Sequence, residues 1–144
     1  MNLPTDLRPT GSGALYLSIV GRNNTPLWSA LAEGAQRNAY NIQMFGYSSL
    51  DIVDEKCIKA TENYLGQIYS DYFFKTFAYV SSTGVKFVFV TDTKSQGLTD
   101  PEVRLLFKRL HTAYCQAISN PFHQAKAPIK SKFLTEVADQ IFAQ

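Results

Sequence analysis

The segment 75–92, KTFAYVSSTGVKFVFVTD, constrains the fold more than any other part of the chain. It reads as two strands, 75–80 and 85–91, joined by Ser81-Ser82-Thr83-Gly84. A short polar connection ending in glycine suits a hairpin, because Gly84 can take a positive φ at little steric cost. The second strand is apolar on both faces, with Val85, Phe87 and Phe89 on one side and Val88 and Val90 on the other. A strand with one face in water alternates apolar and polar residues, so this one belongs in the middle of a sheet covered on both sides. Helices above and below a sheet follow from that one strand.

The rest of the chain is read around this hairpin. Residues 1–13 hold two prolines and two glycines among polar residues and read as a flexible leader, followed by a single domain over 14–144. Segment 15–20 is a strand, and Gly21-Arg22-Asn23-Asn24-Thr25-Pro26 turns it into a second short strand, 27–31, where Trp28 is a packing residue. Residues 32–39 read as a loop. Over 40–62 the pattern becomes helical, with Ile42, Phe45, Leu50, Val53, Cys57 and Ala60 gathered on one face toward the sheet. Gly46 should weaken this helix by about 1 kcal/mol relative to alanine, and Asn63 is a plausible left-handed stop. A third strand, 64–69, leads through a turn at Ser70-Asp71 into the central hairpin.

The most regular helix comes after the hairpin. Thr99-Asp100-Pro101-Glu102 offers an N-cap, a first-turn proline and early acids that suit the positive end of the helix dipole. Val103, Leu106, Phe107, Leu110, Tyr114, Ala117 and Ile118 then repeat at three- and four-residue spacing. Asn120-Pro121 ends the helix. Ser131 can cap a last helix that turns Phe133, Val137 and Ile141 inward. The order ββαβββαα specifies an α+β domain, an antiparallel sheet with helices on both faces.

Composition excludes several function classes. A net charge of +2, with 14 Lys and Arg against 12 Asp and Glu and no basic run, gives no signal for nucleic acid. No apolar run approaches the roughly 20 residues that span a bilayer. The first residues lack the layout of a signal peptide or a myristoylation site. Cys57 and Cys115, without CxxC spacing, read as buried thiols in a reducing compartment, so the cytosol is expected. The two histidines, His111 and His123, have no Cys, Asp or Glu nearby at metal-ligand spacing, and no phosphate-binding or nucleophile motif occurs. No cofactor, metal or catalytic role is expected, because catalysis needs groups that converge.

The outward face of the 40–62 helix carries more information. Met44, Tyr47, Asp51, Asp54 and Ile58 fall three or four residues apart, opposite the core stripe. A row mixing apolar and acidic side chains suits a helix covered by a partner, although scattered surface apolars produce the same pattern. Leu105 projects in the same way into a polar face of the long helix. Tyr69, Tyr72, Phe73 and Phe74 are too dense for a fully solvated hairpin tip. An alternative reading is a lipid or other small hydrophobic ligand held between sheet and helix beside Phe87 and Phe89, against the plainer reading of a packed core.

Several of these motifs occur together in one known family. Leu50-Asp51-Ile52-Val53-Asp54-Glu55-Lys56, Tyr64-Leu65-Gly66, Val85-Lys86-Phe87-Val88, Asp92, Arg104, Phe107-Lys108-Arg109-Leu110-His111, Tyr114 and Asn120-Pro121-Phe122 occur here in this order. The series resembles the sedlin family, small subunits of the trafficking protein particle (TRAPP) complexes, and its sedlin-like branch more than sedlin itself. The resemblance implies a longin-like (profilin-like) fold: five antiparallel strands, with one helix on one face and two on the other. It also implies a non-catalytic adaptor in a vesicle-tethering assembly of ER-to-Golgi, intra-Golgi or endosomal transport, one that supports Rab guanine-nucleotide exchange by helping to attach large accessory subunits. Its partners would be other TRAPP small and large subunits. A Rab GTPase would be met only through the complex, as would the Golgi or ER–Golgi membrane. The family motif falls on 50–55, which makes Asp51 the leading candidate contact. Segments 31–40 and 71–74 depart from the family pattern.

Overall fold

The computed structural model describes residues 14–21, 23–32, 38–59, 61–93, 99–119 and 132–142, the last segment with side chains from Leu134 onward. Expectations for the leader, most of the 32–39 loop, Ala60, Asn120-Pro121-Phe122, His123, the Ser131 cap and the Phe133 side chain lie outside the described residues. The strands are β1 (Ala14–Val20), β2 (Pro26–Leu31), β3 (Tyr64–Ser70), β4 (Phe74–Val80) and β5 (Lys86–Asp92). They form one antiparallel sheet in the order β2-β1-β5-β4-β3. Strand β5 pairs with β1 on one side and β4 on the other, the central place that its two apolar faces require. In the hairpin, the Ser81 N–H donates to the Val85 carbonyl and Gly84 takes φ 89°.

Four helical segments cover the sheet: α1 (Ala39–Ser48), α2 (Leu50–Lys59), α3 (Asp100–Ile118) and α4 (Lys132–Phe142). Ile42 and Leu50 pack on Val20, Val88 and Val90, and Val53 packs on Ile68, Ala78 and Val80. On the opposite face Leu106, Phe107, Leu110, Val137 and Ile141 enclose Leu17, Ile19, Phe77, Phe87 and Phe89. Half-buried Trp28 packs against this second cluster, as expected. The result is the longin-like α+β architecture, with the first helix in two pieces.

The division falls at Ser49, which is buried. Its hydroxyl bonds back to the Phe45 carbonyl (2.9 Å) and lies 3.1 Å from the Thr76 hydroxyl on β4. A serine that bonds its own preceding turn bends a helix, and here Thr76 ties the bend to the sheet. Gly46 has a packing role that its helix propensity hides. A Cβ there would lie 3.2 Å from the Tyr16 ring and 3.5 Å from Val90, so any side chain would require the ring to shift by a few tenths of an ångström for α1 to approach β1 this closely.

Three expectations need correction. Cys57 is exposed, because the last turn of α2, residues 55–59, is exposed throughout. Cys115 is exposed as well, one residue past Tyr114 and so rotated about 100° from the buried stripe. Asn63 does not take positive φ; its carbonyl accepts from the Val80 N–H and starts the β3–β4 pairing. The positive φ instead falls at Gly66 (77°), within a register shift that puts Tyr64 and Ile68 in opposite core layers.

The start of α3 matches its sequence signals. The Thr99 N–H and hydroxyl both donate to the Glu102 carboxylate (2.9 and 2.8 Å), which holds that carboxyl below its usual range. Val103, Leu106, Phe107, Leu110 and Tyr114 are buried, whereas Ile118, in the last turn, is exposed.

Candidate functional site

The α1–α2 arm lies across the sheet with one side inward, and its other side carries the residues singled out from the sequence. Met44 is 44% exposed, Tyr47 59% and Ile58 84%, and Asp51 is exposed too. Tyr40, one turn before Met44, extends the row and is also exposed. Its spacing was visible in the sequence, but it stood at the uncertain start of the predicted helix. Asp51 occupies the first turn of α2, where a carboxylate suits the helix dipole, and it makes no hydrogen bond or ion pair with any described residue.

Asp54 departs from the outward reading. It is only half-exposed, and it forms an ion pair with the Lys86 ammonium. Lys86, although charged, is buried where β5 begins. Its ammonium also donates to Asn24 Oδ1 (2.5 Å), and Asn24 in turn lies in the β1–β2 turn at φ 60°. One buried cation therefore joins α2, β5 and that turn. The acid was placed correctly on the helix, but nothing in its spacing revealed a buried lysine 32 positions away. Leu105 is exposed on α3, across the sheet from the α1–α2 arm, so the structure does not bring it together with Met44, Tyr47, Asp51 and Ile58.

Two further features flank α1. On its β2 side is a groove of about 330 Å³, floored by Ser18 and Ser29 and walled by Tyr16, Met44, Tyr47 and Leu50. On its other side Phe45 packs against Tyr69 and Phe74, each with ring centroids 5.4 Å apart, so part of the aromatic hairpin tip is covered. Asp71 orders that tip by accepting from the Phe73 and Phe74 N–H groups. Phe87 and Phe89, which motivated the small-ligand reading, are fully buried and packed edge-on against Tyr114 and Phe107. They are core residues.

The titratable groups serve the scaffold. The half-buried His111 ring packs on Tyr79 and Phe87, and burial holds its imidazole below the usual histidine range. Burial, then the hydrogen bond to Asp100, pushes the Tyr64 phenol up, and the Arg104 guanidinium covers its ring at 4.5 Å. Arg104 also pairs with Glu62 and Asp100. Among the described residues, no three His, Cys, Asp or Glu side chains gather as a metal site, and no helix is long and apolar enough to cross a membrane.

Several residues of the motif series are thus explained by folding: Tyr64 with Arg104, Gly66 at its shift, Lys86 with Asp54. Among the described residues, Asp51 has no such internal partner.

Comparison with known proteins gives a consistent answer. The family model described as sedlin matches residues 19–143. The trafficking protein particle complex subunit 2-like protein of Xenopus tropicalis is 33% identical over 128 residues, covering 83% of this chain and 89% of the relative. Its counterpart in Dictyostelium discoideum is 30% identical over 132 residues, covering 87% and 94%. The transport protein particle 20 kDa subunit of Schizosaccharomyces pombe is 28% identical over 125 residues, covering 81% and 88%.

Proposed function

The chain belongs to the sedlin family, and from that premise we propose that it is a non-catalytic assembly subunit of a TRAPP vesicle-tethering complex. The observation that carries this reading is the outward side of the α1–α2 arm. There Tyr40, Met44, Tyr47 and Ile58 leave apolar surface in water around Asp51, a carboxylate without a partner among the described residues. Exposed apolar rows around a charged centre suit a protein interface, in which the carboxylate orients the partner and the apolar rim excludes water.

In this reading the arm receives another subunit of the complex, most directly one of its large accessory subunits. The chain supports Rab exchange by completing the assembly and contributes no catalytic group. It works in the cytoplasm and reaches ER–Golgi and Golgi membranes through the complex. Asp54 belongs to the scaffold beneath the interface through Lys86, and Leu105 marks a separate, smaller contact on the opposite face. Affinity purification of the tagged chain from its own cells, with the bound proteins identified, tests the reading. Recovery of other small TRAPP subunits is the expected result, and recovery of the free chain alone would overturn it.

A further inference from the structure

We propose that the open edge of β2, with the groove beside α1, accepts an extended, uncharged segment of a partner subunit as a sixth strand. The inference rests on the assembly-subunit reading above and names a second contact, apart from Asp51.

The backbone pairing identifies the open groups. In an antiparallel ladder, successive residues turn their N–H and C=O alternately toward one neighbour and away from it. The Ala32 N–H donates to the Leu15 carbonyl, and the pairs Leu17↔Ala30 and Ile19↔Trp28 continue the same alternation. Ser29 and Leu31 therefore direct their N–H and C=O groups away from β1, to an edge where, among the described residues, the sheet ends. Neither residue has an interaction beyond those described. An incoming strand would find two donors and two acceptors in register.

The two edges of the sheet differ. Strand β3, at the far edge, breaks register twice against β4, a device that discourages pairing. Strand β2 and the next residue read Pro-Leu-Trp-Ser-Ala-Leu-Ala, without a charge. Strand β2 breaks register once, between Trp28 and Pro26; beyond that shift and the proline, nothing in the described residues blunts the edge. Uncharged edges of this kind associate unless something covers them.

The groove specifies the occupant. It runs along β2 on the α1 face, where Ser18 and Ser29 stand directly opposite each other and leave the floor low. Among the described residues none that lines it is charged, so against these residues a segment bearing Lys, Arg, Asp or Glu would lose hydration without compensation. An apolar side chain on alternate residues of the added strand would lie between Met44, Tyr47 and Tyr16. A free lipid would fill the groove but leave the Ser29 and Leu31 backbone unpaired.

Hydrogen–deuterium exchange on the full chain, free and within the tagged assembly isolated from cells, tests the proposal. Segment 26–32 should exchange about tenfold or more slowly in the assembly. Ser29→Pro removes an outward N–H and leaves the β1 ladder intact; it should abolish that protection, whereas Ser29→Ala should keep it. Should Ser29→Pro fail to fold, Ser29→Glu, which places a charge in the groove, should give the same loss. An assembly recovered with 26–32 exchanging as in the free chain overturns the added strand and leaves the assembly reading standing. Recovery of the free chain alone overturns both. A small-molecule mass retained in native mass spectrometry without edge protection points to a lipid, and protection that follows homodimerisation points to a second copy; either result overturns the proposal.

Discussion

Removing the Asp54 carboxylate should destabilise the fold, and removing the Lys86 charge as well should restore most of the loss. Lys86 is 6% exposed, and its ammonium has two partners, Asp54 and Asn24. Asp54→Ala leaves a covered cation with one neutral acceptor. Breaking a fully buried ion pair costs about 3–5 kcal/mol. The Asp54 side chain is 46% exposed, so water enters the vacated position and reduces the cost to about 2 kcal/mol. In a domain of this size that lowers Tm by about 7 °C. Lys86→Met keeps the unbranched stem, discards the charge and leaves Asp54 facing water, a loss of about 1 kcal/mol or less. The double variant should therefore be more stable than Asp54→Ala alone, with a coupling of about 1–2 kcal/mol in urea unfolding. Additive losses would refute the assignment of Asp54 to the scaffold.

Two further outcomes follow from the packing. Gly46→Val should lower the urea midpoint, because overpacking against Tyr16 and Val90 costs about 1–3 kcal/mol and exceeds the gain in helix propensity; a midpoint at or above wild type would refute the close-approach role. For His111, burial depresses the folded-state pKa, so protonation penalises the folded chain more than the unfolded one. Its contribution to stability is intact above the ordinary histidine range, about 6.5, and declines as pH falls from there through the lower folded value. Urea midpoints between about pH 7.5 and 5 should show that decline in wild type and a flatter profile in His111→Phe; identical slopes would count against it.

The strands and helices were legible because their signals are local. Val85–Val90 carries its double burial in its own composition, and Thr99-Asp100-Pro101-Glu102 begins a helix whatever lies around it. What escaped was set by contacts across the sheet. The bend at Ser49 depends on Thr76, 27 positions away. Gly46 reads as a weak helix residue until Tyr16 is beside it, and Asp54 reads as solvated until Lys86 emerges beneath α2. Cys57 reads as inward because the periodicity runs on past Val53, whereas residues 55–59 are exposed. The outward row was legible as a pattern, though its sequence could not distinguish Asp51, which has no partner among the described residues, from Asp54, which has one. The groove beside β2 left no sequence signal, since it is defined by the small residues Ser18 and Ser29 meeting across two strands.

The central claim is that the α1–α2 arm receives another subunit at Asp51. Parallel affinity purification of wild type and Asp51→Lys, with the native mass of each recovered species and the Tm of each isolated chain, tests it most directly. Reversing a first-turn charge costs about 1 kcal/mol or less through the helix dipole, a shift of about 3 °C, so folding itself should be little changed. The account predicts that wild type is recovered at the mass of an assembly and Asp51→Lys as the free chain. Recovery of the same assembly by both would contradict it.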